Sequence, residues 1–199
     1  MKRKRMSSTR PVAPEWSEAS PVTMESRAWV VMGVSGCGKS TVGRLLAGAL
    51  GVDFLEGDQL HSPQNIARMA AGTALTDENR QEWLQTISGA LVGAMATGRG
   101  LVVSCSALKR SYRDILRQGA PELRFVHLHG DYDLLAQRMA EREGHYMPAS
   151  LLDSQFAILE IPGPDEHAVT VDVALAPETI VQSILSAAGQ SAAAESRLP

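Results

Sequence analysis

Cysteine is scarce in this chain. Only Cys37 and Cys105 occur among 199 residues, with no Cys-x-x-Cys pair. That excludes a disulfide framework and a cysteine-based zinc site, and it suits a cytoplasmic, reducing compartment. Long apolar runs are missing too, and none approaches the roughly 20 residues that a membrane-crossing helix needs. Charge of one sign is not in excess: 19 Lys and Arg face 22 Asp and Glu, for a net charge of -3 and a pI near 6.0. Such a balance gives no general drive toward nucleic acid or anionic membrane. There is no internal repeat.

The first residues, "MKRKRMSSTRPVAPEWSEASPVTMES", begin basic but lack the apolar segment of a secretory signal. Pro, Ser and Glu dominate there, and neither helical nor strand period emerges. Residues 1–27 are therefore expected to be a disordered tail, and 190–199 a second, frayed one. The 44% apolar content supports a single core-forming domain between them, residues 28–189.

Within 28–189, apolar runs alternate with helical patterns. "AWVVMG" (28–33), "VDFLEG" (52–57), "GLVVSCS" (100–106), "LRFVHLHG" (123–130) and "AVTVDVAL" (168–175) read as buried strands. Helical periods cover 39–50, 62–72, 76–98, 108–119, 131–143, 148–160 and 176–189. Ser62 and Pro63 mark a helix start, as does Thr76 or Asp77. The alternation predicts an α/β fold, a five-stranded parallel sheet with helices on both faces. Ligands in such sheets bind beyond the carboxyl ends of the strands.

"GVSGCGKST" follows the first strand and opens the first helix, with Gly33, Gly38, Lys39 and Ser40 at the G-x-x-x-x-G-K-[ST] spacing. That context marks a phosphate loop, and so a P-loop NTPase fold. The backbone of Gly33, Val34, Ser35, Gly36, Cys37, Gly38, Lys39, Ser40 and Thr41 can wrap phosphates with inward N–H groups, helped by the helix dipole. Lys39 reaches the β- and γ-phosphates, and the Ser40 hydroxyl can bind Mg²⁺. A dinucleotide G-x-G-x-x-G would need Gly at position 41, which is Thr, and a hydrolase elbow would need Gly at 37, which is Cys. The nucleotide is thus ATP or GTP, and the Asn-Lys-x-Asp loop that usually reads guanine is absent.

Past the second strand stands "EGDQLHSPQNIARM". Asp58 lies on the phosphate-loop edge of the sheet and has two candidate roles: base for an acceptor hydroxyl, or Mg²⁺ ligand. Capping of the next turn is the plainer alternative. His61, Asn65, Arg68, Arg80 and Trp83 make a hydrogen-bonding set suited to a polyol. After the third strand, "SCSALKRSYRDILR" supplies Ser106, Lys109 and Arg113. Lys109 and Arg113 are four apart on one helix face, and two cations at a strand end suit an anionic substrate, although a solvated basic face is the default for either alone. The third strand offers no carboxylate where many phosphate-loop proteins keep a Mg²⁺-orienting Asp, so that task falls to Asp58.

"MGVSGCGKST", "GDQLHSPQNIARMAAGTALTDENRQEWL", "CSALKRSYRDILR" and "REGHYMPASLLDSQFAILE" together resemble gluconate kinases of the phosphate-loop type, from about Val30 to Ile184. The resemblance departs at Ser62, where the family often has Pro directly after the His, and at Cys37, where it often has a small residue. It implies a fold like nucleoside-monophosphate and shikimate kinases, and ATP-dependent phosphorylation of D-gluconate at its C6 hydroxyl. It also implies Mg²⁺ as cofactor and a homodimer. Lys39, Asp58 and Arg138 are the expected catalytic residues. Arg138 and Arg142 are four apart on one helix face, which the resemblance places at a mobile lid, where arginines stabilise charge on the transferring phosphoryl group. A surface helix with ordinary ion pairs is the alternative for these two. A related kinase of shikimate, a nucleotide or another sugar acid is one rival reading, and a nucleotide sensor without turnover is the other.

Overall fold

The computed structural model describes residues 27–141 and 149–195. Five strands, β1 (Ala28–Met32), β2 (Asp53–Glu56), β3 (Leu101–Ser104), β4 (Arg124–His129) and β5 (Ala168–Asp172), form one sheet in the order β2-β3-β1-β4-β5. Every neighbouring pair is parallel, with Val31 beside Ser104 and Glu56 beside Ser104 at the carboxyl edge. The described residues form seven α-helices: α1 (Lys39–Leu50), α2 (Pro63–Ala70), α3 (Asp77–Ala96), α4 (Arg110–Gly119), α5 (Tyr132–Ala140), α6 (Ala149–Ile158) and α7 (Pro177–Glu195). Each expected strand and helix is present, with ends moved by a few residues.

Alternation along β1 divides the core in two. Trp29 and Val31 pack with Val42 and Leu46 of α1 and with Ile180, Val181 and Ile184 of α7. Ala28, Val30 and Met32 pack on the other face with Leu84, Ile87 and Leu91 of α3 and Tyr112 and Leu116 of α4. A sheet covered on both sides needs apolar residues at consecutive positions, which is why β1 reads "AWVVM".

Local signals set the helix starts. Ser62 accepts the Asn65 N–H with Pro63 at the first helical position, and Thr76 and Asn79 form a reciprocal capping box. The start of α4 is held from a distance instead: its Arg110 N–H donates to the Glu160 carboxylate at 2.6 Å.

Two expected boundaries shift. Arg27 belongs to the fold, since its guanidinium donates to the Gly98 carbonyl at 2.9 Å and its carbonyl accepts from Leu101 N–H; residues 1–26 lie outside the described residues. At the other end α7 runs on to Glu195, past the expected boundary at 189, because "GQSAAAE" carries enough alanine to continue a helix. Among the described residues no helix is long and apolar enough to cross a membrane.

Candidate active site

The phosphate loop leaves β1 and turns into α1 through Gly38, whose left-handed φ of 91° makes it the N-cap. Lys39 is half-buried, and its Nζ donates to the Val34 carbonyl across the loop at 2.9 Å. Ser40 and Thr41 occupy the first turn of α1. Cys37 is buried, and burial raises its thiol pKa against the opposing pull of Lys39, which makes it a poor nucleophile. The loop is fastened to the segment that follows β3, with Gly33 N–H donating to the Ser106 carbonyl at 3.3 Å.

One pocket joins this loop to the acceptor side. Ser35 and Lys39 line it together with Asp58, His61, Arg80, Trp83 and Ser106; Met69, Ala74 and Leu75 add apolar wall, and Leu151, Ser154 and Gln155 come from α6. Residues spread over 120 positions of sequence thus converge at the carboxyl edge of the sheet.

The Gly57 turn aims the acceptor wall. Gly57 N–H donates to Ser104 Oγ at 3.3 Å, Trp83 Nε1 donates to the Gly57 carbonyl at 2.7 Å, and a Cβ on Gly57 would run into the Ser104 carbonyl. His61 stacks on the Trp83 ring with centroids 4.1 Å apart and an interplanar angle of 19°. It is buried, and its Nδ1 has no protein partner. Burial lowers its pKa, with the Asp58 charge opposing and Arg80 assisting. A neutral imidazole with one unmet nitrogen suits a ligand hydroxyl.

Asp58 is exposed at the pocket surface. Arg80 is half-buried, and its guanidinium reaches the Leu75 carbonyl and, at 3.4 Å, the Tyr112 hydroxyl. No carboxylate pairs with it or with Lys39 among the described residues. The pocket therefore presents two cations, one on the loop and one on the acceptor wall.

Other expected site residues are engaged elsewhere. Arg113 is fully buried and turns away from the pocket, with Nε 2.6 Å and Nη2 2.9 Å from the Glu166 carboxylate. Its Nη1 donates to the carbonyls of Ala107, Leu108 and Glu160. It is a structural staple, so its assignment to substrate is corrected: every guanidinium nitrogen already has a partner. Lys109 lies at the N-cap of α4, where Nζ meets both Asp77 oxygens at 2.7 and 2.8 Å, outside the pocket lining. Asn65 is buried and donates to the Asn79 carbonyl at 2.7 Å, tying α2 to α3. Arg138, on α5, donates to the Val173 carbonyl at 2.9 Å, and Leu135 and Met139 of the same helix lie against Gly36 of the phosphate loop. Arg142 lies outside the described residues.

Sequence reasoning missed Glu56. Its carboxylate accepts the Ser104 hydroxyl at the end of β3. The Glu56–Ser104 register of the two parallel strands sets this acid beside the end of β3. Knowledge of strand order was the missing signal.

A family model described as an AAA domain matches residues 29–162. Gluconokinase from Gluconobacter oxydans is 46% identical over 162 residues, which cover 81% of this chain and 91% of that protein. The chain belongs to the gluconokinase family. The crystal structure of a gluconokinase from Sinorhizobium meliloti superposes with a TM-score of 0.74 at 49% identity, over 82% of this chain and 91% of that one. A shikimate kinase from Acinetobacter baumannii, 20% identical with a TM-score of 0.55, shares the fold alone. The pocket brings the phosphate loop together with a carboxylate, an imidazole and a guanidinium. Among the described residues no group of three or more His, Cys, Asp and Glu side chains is placed to hold a metal ion by itself.

Proposed function

We propose that this chain phosphorylates D-gluconate at its C6 hydroxyl with ATP, releasing 6-phospho-D-gluconate and ADP. The observation that carries the reading is the single pocket shared by Lys39 of the phosphate loop and by Asp58, His61 and Arg80. Phosphoryl transfer demands little covalent chemistry from the protein beyond placing donor and acceptor in line and stabilising charge.

The loop fits a nucleotide triphosphate. Gly38 takes a left-handed backbone, and Lys39 already stands within the loop, able to exchange the Val34 carbonyl for phosphate oxygens. Ser40, in the first turn of α1, would hold a Mg²⁺ ion whose other ligands come from the nucleotide, with Asp58 of the pocket able to reach it through a water. When bound, Mg²⁺ neutralises phosphate charge.

On the acceptor side, Asp58 orients the C6 hydroxyl and takes its proton. His61 addresses a second hydroxyl through Nδ1, its ring held by Trp83. Arg80 takes the gluconate carboxylate as a charge-assisted hydrogen bond. Arg80 serves better here than Lys109, whose ammonium is already paired with Asp77. Arg138, on α5 beside the loop, stabilises charge there.

Asp58→Asn tests the reading. It keeps size and hydrogen bonding but removes charge and basicity, and general-base assistance is worth about 10²–10⁴-fold in rate. The variant should lose kcat by that order while ATP affinity, read by calorimetry, holds. Near-normal kcat would make Asp58 a turn residue. Collapse of ATP·Mg²⁺ binding would make it chiefly a metal ligand.

A further inference from the structure

The α6 wall of the pocket holds a residue that the reading above leaves without a role. Gln155 is half-buried, and its carboxamide makes two bonds to one residue of the phosphate loop. Its Oε1 accepts the Ser35 N–H at 2.6 Å, and its Nε2 donates to Ser35 Oγ at 3.0 Å. Leu151, Ser154 and Gln155 sit at i, i+3 and i+4 of one helix and line the pocket that Asp58, His61 and Arg80 also line. Leu151 and Leu152 are buried beneath, and the Tyr132 hydroxyl donates to Asp153 at 2.6 Å, so α6 is held by its own packing and by α5.

A carboxamide carries two N–H donors and two acceptor lone pairs. Ser35 uses one of each. The second N–H and the second lone pair remain, on a group facing a pocket built for a polyol. Each hydroxyl of a polyol also donates and accepts, so an amide matches it in a way that a cation or a carboxylate cannot. The bidentate hold on Ser35 fixes the amide plane, and therefore the direction of the unused N–H.

We propose that Gln155 is an acceptor-binding residue that hydrogen-bonds a gluconate hydroxyl while anchored to Ser35, so that the acceptor is registered directly against the phosphate loop. This rests on the reading of the pocket as a gluconate kinase site. It gives α6 a specificity role: the gluconate chain is read by Gln155 as well as by His61 and Arg80.

The test compares wild type with Gln155→Met, which keeps length without the amide, and Gln155→Asn, which keeps the amide but draws it back. Acceptors are gluconate and its singly deoxygenated analogues, with ADP release as the readout and thermal melting as the control for folding. On gluconate, kcat/KM should fall by on the order of 10-fold in Gln155→Met, the scale of one or two lost neutral hydrogen bonds. The gluconate KM should carry the change, with the ATP KM and the melting temperature nearly constant. On one deoxy analogue, the one lacking the contacted hydroxyl, wild type and variant should converge. If the wild-type-to-variant ratio is the same on every analogue, or the ATP KM moves instead, Gln155 does not touch the acceptor and the proposal is overturned. Wild-type ADP release indifferent to gluconate would overturn the pocket reading itself, a result distinct from either.

Discussion

Lys109 and Arg113 stand one turn apart at the start of α4, and the structure gives them opposite lives. Lys109 sits at the rim, paired with Asp77, whose side chain is 62% exposed. Arg113 is sealed in the core against Glu166, both side chains almost wholly buried. Spacing alone makes them one basic face. What separates them is the segment 159–166, which crosses α4 and brings Glu160 and Glu166 over its first two turns. Arg113 also reaches the Ala107 carbonyl, at a residue with the unusual φ of 43°, and so supports the turn that carries Ser106 to the pocket. One cation is part of the scaffold and the other of the surface.

The largest effect should come from Arg113→Met. Removing one partner of a buried pair leaves Glu166 with only the Gly163 N–H and the longer Arg117 contact, and costs about 3–5 kcal/mol. At about 2–4 °C per kcal/mol for a domain of this size, melting should fall by on the order of 10 °C. An unchanged melting temperature with a selective rise in the gluconate KM would return Arg113 to the pocket and dissolve the contrast.

Acid should expose the same pair. Burial by itself would raise the Glu166 pKa, but the bonds from Arg113 and the Gly163 N–H, with the Arg113 and Arg117 charges, hold it at about 2 against an ordinary 4.5. A depressed carboxylate contributes stability that is present above 4.5 and is lost as pH falls through about 2. Urea unfolding at stepped pH should show stability declining through this window. Glu166→Gln should flatten that slope while leaving the separate loss from His127, whose pKa burial lowers from 6.5 to about 4.

Arg80→Met should raise the gluconate KM by on the order of 10-fold, as the loss of a charge-assisted bond to the substrate carboxylate. Kinetics at saturating ATP check it.

Lys109→Met should do least. An exposed pair is worth about 0–1 kcal/mol, so melting should barely move. Its gluconate KM should change less than that of Arg80→Met. A larger change would show that Lys109 leaves Asp77 for the substrate.

The fold was largely legible because its signals are local. The apolar runs of the strands, Ser62–Pro63, the Thr76 cap and the Gly-rich turn each report on neighbouring residues. Lys39, Asp58, His61 and Ser106 follow strand ends in the sequence, and the structure brings them into one pocket together with Trp83 of α3. Illegible were the partners that come from far away. Nothing near Arg113 announces a glutamate 53 residues on, nothing near Ser104 announces Glu56 48 residues back, and nothing near Ser35 announces Gln155 120 residues on. Asn65 misled for a related reason: a buried amide satisfies a backbone carbonyl as readily as a substrate.

Acceptor-dependent ADP release by the full chain tests the central claim most directly. With ATP and Mg²⁺ fixed, ADP formation should rise steeply and saturably with D-gluconate, and the product should be phosphorylated at C6. Shikimate, nucleoside monophosphates and neutral glucose should leave it near the acceptor-free rate. ADP release that does not respond to gluconate, or that responds better to one of these others, would contradict the account.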